Sequence, residues 1–235
     1  VDRHAVGRDL LQHGREEQVV VNLQELDCVT FVENVLALAR FIRLARPDIL
    51  ESQLRTQDLY VGLLREIRYR GGRLDGYGSR LHYFSDWIHD NEGRGLVREL
   101  TAELGGEVDP RAIDYMSLHP DAYRQLADPS IVEAIRLREA FLSGLPRFVI
   151  PEEEIGNRAF SIQNGDILAL TSTVEGLDVA HTGLAVWQGE ALHLLHAPLV
   201  GDSVEVSQLP LADRILRLES QNGLRVVRAL TPAGS

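Results

Sequence analysis

Residues 26–42 read LDCVTFVENVLALARFI. Asp27 is a residue type that closes helix N-termini, because its carboxylate accepts from the unpaired backbone N–H groups of the first turn. Behind it Val29, Val32, Leu36, Ala39 and Ile42 recur at helical spacing and predict one apolar face. Pro47 cannot continue the run. The reading is a helix over residues 26–46 with Cys28 in its first turn. Unpaired N–H groups and the helix dipole favour negative charge there, which lowers a thiol pKa, and the thiolate is the reactive form. Asp27 opposes this as a neighbouring negative charge unless its carboxylate is spent on capping. Cys28 is the sole cysteine, so an internal disulfide and multi-cysteine zinc sites are excluded. Position alone leaves two readings open: a small inert core residue or a catalytic nucleophile.

Working outward, the chain changes character twice. Residues 48–145 read as mostly helical, with helices over 52–70 and 131–142, breaks at Gly71-Gly72 and Gly105-Gly106, and no assignment for 95–118. Residues 146–230 read mainly as strands and turns: GDILAL (165–170), HTGLAVW (181–187), ALHLLHA (191–197) and LRVVRAL (224–230). A helix first and antiparallel strands after gives the α+β class, in one domain over residues 1–235. Taking Gln188-Gly189 as a two-residue hairpin turn pairs Trp187 with Glu190, Ala185 with Leu192 and His181 with His196. Opposed residues share a sheet face, so two imidazoles stand side by side and His193 points the other way. A base oriented by a third polar group is the logic of an activated nucleophile. One cysteine at a helix start plus two histidines in register favours catalysis over an incidental pair.

Composition narrows the field. A net charge of −11 disfavours nucleic-acid binding, and no apolar run reaches the ~18 residues of a membrane span. The chain begins at Val1 with no visible signal peptide, and the expectation is an exported protein of the periplasm or cell envelope with its leader removed. Arg65, Arg68, Arg70, Arg73 and Arg80 form the one basic stretch, read either as a solvated face or as a site for substrate carboxylates. His82, Asp86 and His89 recur at helical spacing, but no further cluster completes a metal shell, so no metal site is expected.

Five strings in order, LDCVTFVEN (26–34), RLHYFSDWI (80–88), GDILAL (165–170), GLDVAHTGLAV (176–186) and HLLHAP (193–198), resemble the N-acetylmuramoyl-L-alanine amidase-like branch of the NlpC-type, papain-like superfamily. The resemblance runs from about residue 17 to residue 230. It implies a papain-like fold, with the N-terminal catalytic helix packed on an antiparallel sheet and residues 48–145 as a large helical insertion. It implies Cys28 as nucleophile, His181 as base and His196 as third residue, with no cofactor. Asp27, beside the thiol, is an implied substrate-binding residue, as are Tyr83, Ser85, Asp86 and Trp87, which would help wall the substrate cleft. The implied substrate is a peptidoglycan fragment cut between N-acetylmuramic acid and L-Ala, with a preference for anhydro-muropeptides. The alternatives are an endopeptidase cutting D-Glu–diamino acid bonds and an inactive peptidoglycan-binding module. The family's usual G-x-P-Y segment before the cysteine helix is not found: the upstream stretch VGRDLLQHGREEQVVVNL (6–23) has no Tyr.

Overall fold

A computed structural model describes residues 17–199 and 203–232; most of the upstream stretch 6–23 lies outside the described residues. Helix α1 spans Cys28–Leu44 and starts on a reciprocal cap. The Asp27 carboxylate accepts from the Thr30 N–H at 2.7 Å, and the Thr30 hydroxyl accepts from the Asp27 N–H at 2.9 Å. Two orphan donors of the first turn are thereby satisfied. The apolar face differs from the expected one. Phe31, Val32, Leu36 and Ala37 are buried, together with polar Glu33, Asn34 and Arg40, whereas Ala39 is exposed and Ile42 is 76% exposed. Buried polar partners explain the rotation. Glu33 accepts from Arg68 at 2.6 Å, and Asn34 accepts from the Tyr60 hydroxyl at 2.6 Å. Both partners lie on α2 (Gln53–Arg68), which starts on Ser52. Simple apolar periodicity cannot see an ion pair that pulls a polar edge inward.

Helix α3 (Phe84–Gly93) follows, then short strands β1 (Val97–Glu99) and β2 (Glu107–Val108) in the stretch the sequence left unassigned. Helix α4 (Pro129–Ser143) has Asp128 as its cap and Pro129 in its first turn, where a missing N–H costs nothing. The remaining strands are β3 (Phe148–Pro151), β4 (Ile167–Ser172), β5 (Val179–Gln188), β6 (Ala191–His196), β7 (Glu205–Val206) and β8 (Gln221–Ala229). They form an antiparallel sheet in the order β2-β3-β8-β4-β5-β6-β7, with β1 also on β8. The α+β expectation holds.

Period-two alternation divides the sheet between two cores. Ile167, Ala169, Leu184 and Val227 pack against Phe31 and Val32 of α1, Leu64 and Ile67 of α2 and Trp87 and Ile88 of α3. Leu168, Leu170, Ala185, Leu194, Leu224 and Val226 pack on the opposite face with Ile150, Ile155, Leu211 and Ile215. Every residue of β4 is buried, which is why GDILAL carries a continuous apolar run rather than an alternating one. In that string Gly165 has φ 84°, and the Asp166 carboxylate takes two hydrogen bonds from Arg228 at 2.8 and 2.7 Å, fastening β4 to β8.

The β5–β6 hairpin departs from the expected register by two residues. Gln188 pairs with Ala191, Trp187 with Leu192 and Ala185 with Leu194. The turn residues are Gly189 and Glu190, not Gln188 and Gly189. Gly189 has φ 62° and supplies the positive φ at the first turn position, as a type II′ turn requires. His181 and His196 are therefore not directly opposed. A shift of two preserves the faces, so they remain on one side as diagonal neighbours, and His193 stays on the other beside Val186.

Candidate active site

Cys28 is the first residue of α1 and is 5% exposed. The backbone N–H and hydroxyl of Thr182 on β5, and the N–H of Val29, lie against its sulfur and favour the thiolate. They are outweighed. Burial comes first and the Asp27 charge second, and together they push the thiol from 9.0 up to about 11. The resting group is thus a protonated thiol. The Thr182 hydroxyl is fully buried and makes no other hydrogen bond among the described residues.

His181, the residue before Thr182, is 3% exposed. The strand is bulged at this point: Leu170 pairs with His181 but Thr171 pairs with Val179, which leaves Ala180 as the extra residue. A bulge bends its strand and re-aims the neighbouring side chain. The His181 Nε2 lies 2.8 Å from the Nδ1 of His196, with the rings edge to face at 4.8 Å between centroids. Burial, helped by the Arg214 charge, lowers the His196 pKa to about 4, so this ring is neutral at neutral pH. With His196 accepting at Nδ1, the tautomer that a base at His181 requires, the His181 proton sits on Nε2 and its Nδ1 carries the lone pair.

The residues expected to wall a cleft are buried and bonded within the protein. Trp87 is fully buried and stacks on Phe84, with centroids 4.9 Å apart. The Tyr83 hydroxyl donates to Glu139 at 2.6 Å and accepts from the Met116 N–H at 2.7 Å. Ser85 accepts from Arg225 through its hydroxyl and donates its backbone N–H to Asp178 at 2.6 Å. Asp86 is 1% exposed and held by Arg70 and Arg138. The reason is the position of α3. It is sandwiched between the helix-side core and a third cluster around Tyr83, Ile113, Met116, Ile135 and Leu142. Asp27 is committed to capping. His82 bonds the Tyr77 carbonyl at 2.9 Å and His89 packs edge-on against Phe141; no group of three metal-ligating side chains occurs among the described residues.

Sequence reasoning passed over Asp178. Its carboxylate accepts from Ser85 at the start of α3 and from Val179, so it ties that helix to the strand carrying His181. The signal was the Asp three residues before His181 in GLDVAHTG.

The model of the N-acetylmuramoyl-L-alanine amidase-like (AmiA-like) family matches residues 5–221. The chain belongs to this family. A solved N-acetylmuramoyl-L-alanine amidase from Bacteroides uniformis is 35% identical with a TM-score of 0.84, covering 93% of this chain and 91% of that one. A Bacteroides fragilis protein carrying a provisional xylanase label is 36% identical with a TM-score of 0.82, covering 93% of each chain. A Legionella pneumophila protein at 22% identity and a TM-score of 0.62 shares the fold. No curated protein matches the chain. Family membership carries peptidoglycan as the substrate theme and amide hydrolysis as the reaction theme, and the likeness to the solved amidase covers nearly the whole chain.

Proposed function

We propose that this chain is a cysteine amidohydrolase of the NlpC-type, papain-like superfamily that cleaves the amide between N-acetylmuramic acid and L-Ala in peptidoglycan fragments. The observation that carries this reading is the buried His181–His196 hydrogen bond on the strand whose next residue, Thr182, touches the Cys28 thiol. In the mechanism Nδ1 of His181 takes the Cys28 proton as sulfur attacks the amide carbonyl. The backbone N–H of Cys28, at the open end of α1, donates to the developing oxyanion. The imidazolium returns its proton to the leaving amine of L-Ala, and water, deprotonated by the same imidazole, hydrolyses the thioester. His196 stabilises the imidazolium through the Nε2 proton.

The resemblance further implies a preference for fragments ending in 1,6-anhydro-N-acetylmuramic acid, which suits turnover rather than lysis of intact wall. Mass spectrometry after incubation with anhydro-muropeptides tests this. Release of an intact stem peptide beginning with L-Ala is expected. Cutting after D-Glu, with sugar still on L-Ala–D-Glu, would overturn it in favour of an endopeptidase.

A further inference from the structure

A second concavity, separate from Cys28 and His196, opens at the loop joining β4 to β5. It holds about 230 Å³ and is lined by Arg111, Arg147, Asp114, Glu175, Gly176 and Asp178, among others. That is below the ~300–1,000 Å³ of pockets that take drug-sized molecules, so it suits a group of about one residue. The unusual member is Arg147. It is 4% exposed, and its guanidinium donates only to the carbonyls of Leu142 and Arg111, with no carboxylate in ion-pair contact among the described residues. Buried charges are ordinarily paired. Among the described residues two of its five N–H groups are used, which leaves donors for an incoming carboxylate.

The same pocket holds acceptors. The Asp114 carboxylate is half-buried and takes no hydrogen bond from any described side chain or backbone donor, whereas its backbone N–H is bonded to the Gly176 carbonyl at 3.1 Å. Gly176 makes the room for it. Its φ is 76°, and a Cβ there would stand 2.3 Å from Oδ1 of Asp114. Glu175 is exposed beside it. Asp109, paired with Arg111, and Asp178, which accepts two backbone N–H groups, also line the cavity and act on Arg147 by charge, so the unused Arg147 donors and the unbonded Asp114 carboxylate are what it offers to a group bearing both charges on one carbon.

Location supplies the second argument. Asp178 lines the pocket and lies three residues before His181 on the same stretch of chain, at most about 10 Å along it, the bulge at Ala180 shortening the path. Three extended peptide residues also span about 10 Å. A stem peptide leaving the Cys28–His181 site would bring its third residue to this loop. We infer that the pocket is the subsite for the third stem residue, and that it recognises the zwitterionic ammonium–carboxylate end of a diamino diacid through Arg147 and Asp114. The inference rests on the proposed amidase reading for the direction in which the peptide runs.

Calorimetry on the full chain with free peptides tests it without needing any bond to be cut. The three probes are L-Ala–γ-D-Glu–meso-diaminopimelate, the same peptide with L-Lys third, and the dipeptide L-Ala–γ-D-Glu. Lysine ends in an ammonium without the carboxylate. The diaminopimelate peptide is expected to bind about tenfold tighter than the other two, with Arg147→Gln and Asp114→Asn each reducing that preference to about twofold or less. Should Arg147→Gln fail to fold, as its melting curve would reveal, the half-exposed Asp114→Asn carries the test. Equal affinity for the three peptides, binding of none of them, or an undiminished preference in the folded variants would overturn the subsite. Failure of the amidase reading is scored separately, by muropeptide cleavage.

Discussion

The sulfur of Cys28 is buried and holds its proton up to about pH 11 in the resting protein, so attack depends on a base that removes the proton during the reaction rather than on a standing thiolate. Two outcomes follow at this scale. Alkylation of the resting protein by iodoacetamide should be slow at pH 7 and climb well beyond the pH at which a free cysteine has levelled off; a plateau reached below pH 8 would mean a preformed thiolate–imidazolium pair instead. In the same sense, His196→Asn keeps an acceptor for the Nε2 proton of His181, whereas His196→Leu removes it. Hydrolysis should fall about tenfold in the first and by roughly 10²–10⁴ in the second, the usual span of general acid–base catalysis. Equal losses would reduce His196 to a packing residue.

At the scale of elements, the Asp27 cap acts on stability and reactivity in opposite directions. Asp27→Ala should remove about 1 kcal/mol from folding by uncapping α1 and should move thiol alkylation to lower pH, because the Asp27 charge is one of the two causes raising the thiol. Melting temperature and the alkylation profile check the two effects on one sample. The start of α1 was legible in the sequence because capping is local: Asp27 and Thr30 are three residues apart. The four main strands were legible for the same reason, since each carries its own apolar run. The hairpin register was not. Faces repeat every two residues, so a slip of two leaves the alternation intact, and only the turn geometry at Gly189 decides between the alternatives. The internal bonding of Tyr83, Ser85, Asp86 and Trp87 was not legible because their partners, Glu139, Arg225, Arg70, Arg138 and Phe84, are mostly far away in sequence. Polar residues on a helix announce hydrogen bonds but do not say whether the partner is a substrate or the protein itself.

Over the whole molecule, buried titratable groups set the pH range in which the fold is stable. His82 and His196 have pKa values lowered from 6.5 to about 3 and about 4, by burial first in each case and by arginine charges second. The fold favours their neutral forms, so their contribution is complete above pH 6.5 and is lost as pH falls from there toward 4 for His196 and toward 3 for His82. Each histidine withdraws up to about 1.4 kcal/mol per pH unit in that window. Cys28 has the opposite sign: its contribution is complete below pH 9 and is lost as pH rises toward 11. The melting temperature should therefore be flat between about pH 6.5 and 9 and decline on both sides; His82→Gln should flatten part of the acid limb, and an unchanged limb would exclude that histidine as its source. The covered, protonated sulfur has a further consequence. Peroxides attack thiolates and exposed sulfur, and this chain has no second cysteine with which to form a reversible disulfide. Any oxidation to a sulfinate would be permanent. Keeping the proton on until substrate is bound confines the vulnerable state to turnover, so the idle protein should outlast the working one in an oxidising environment.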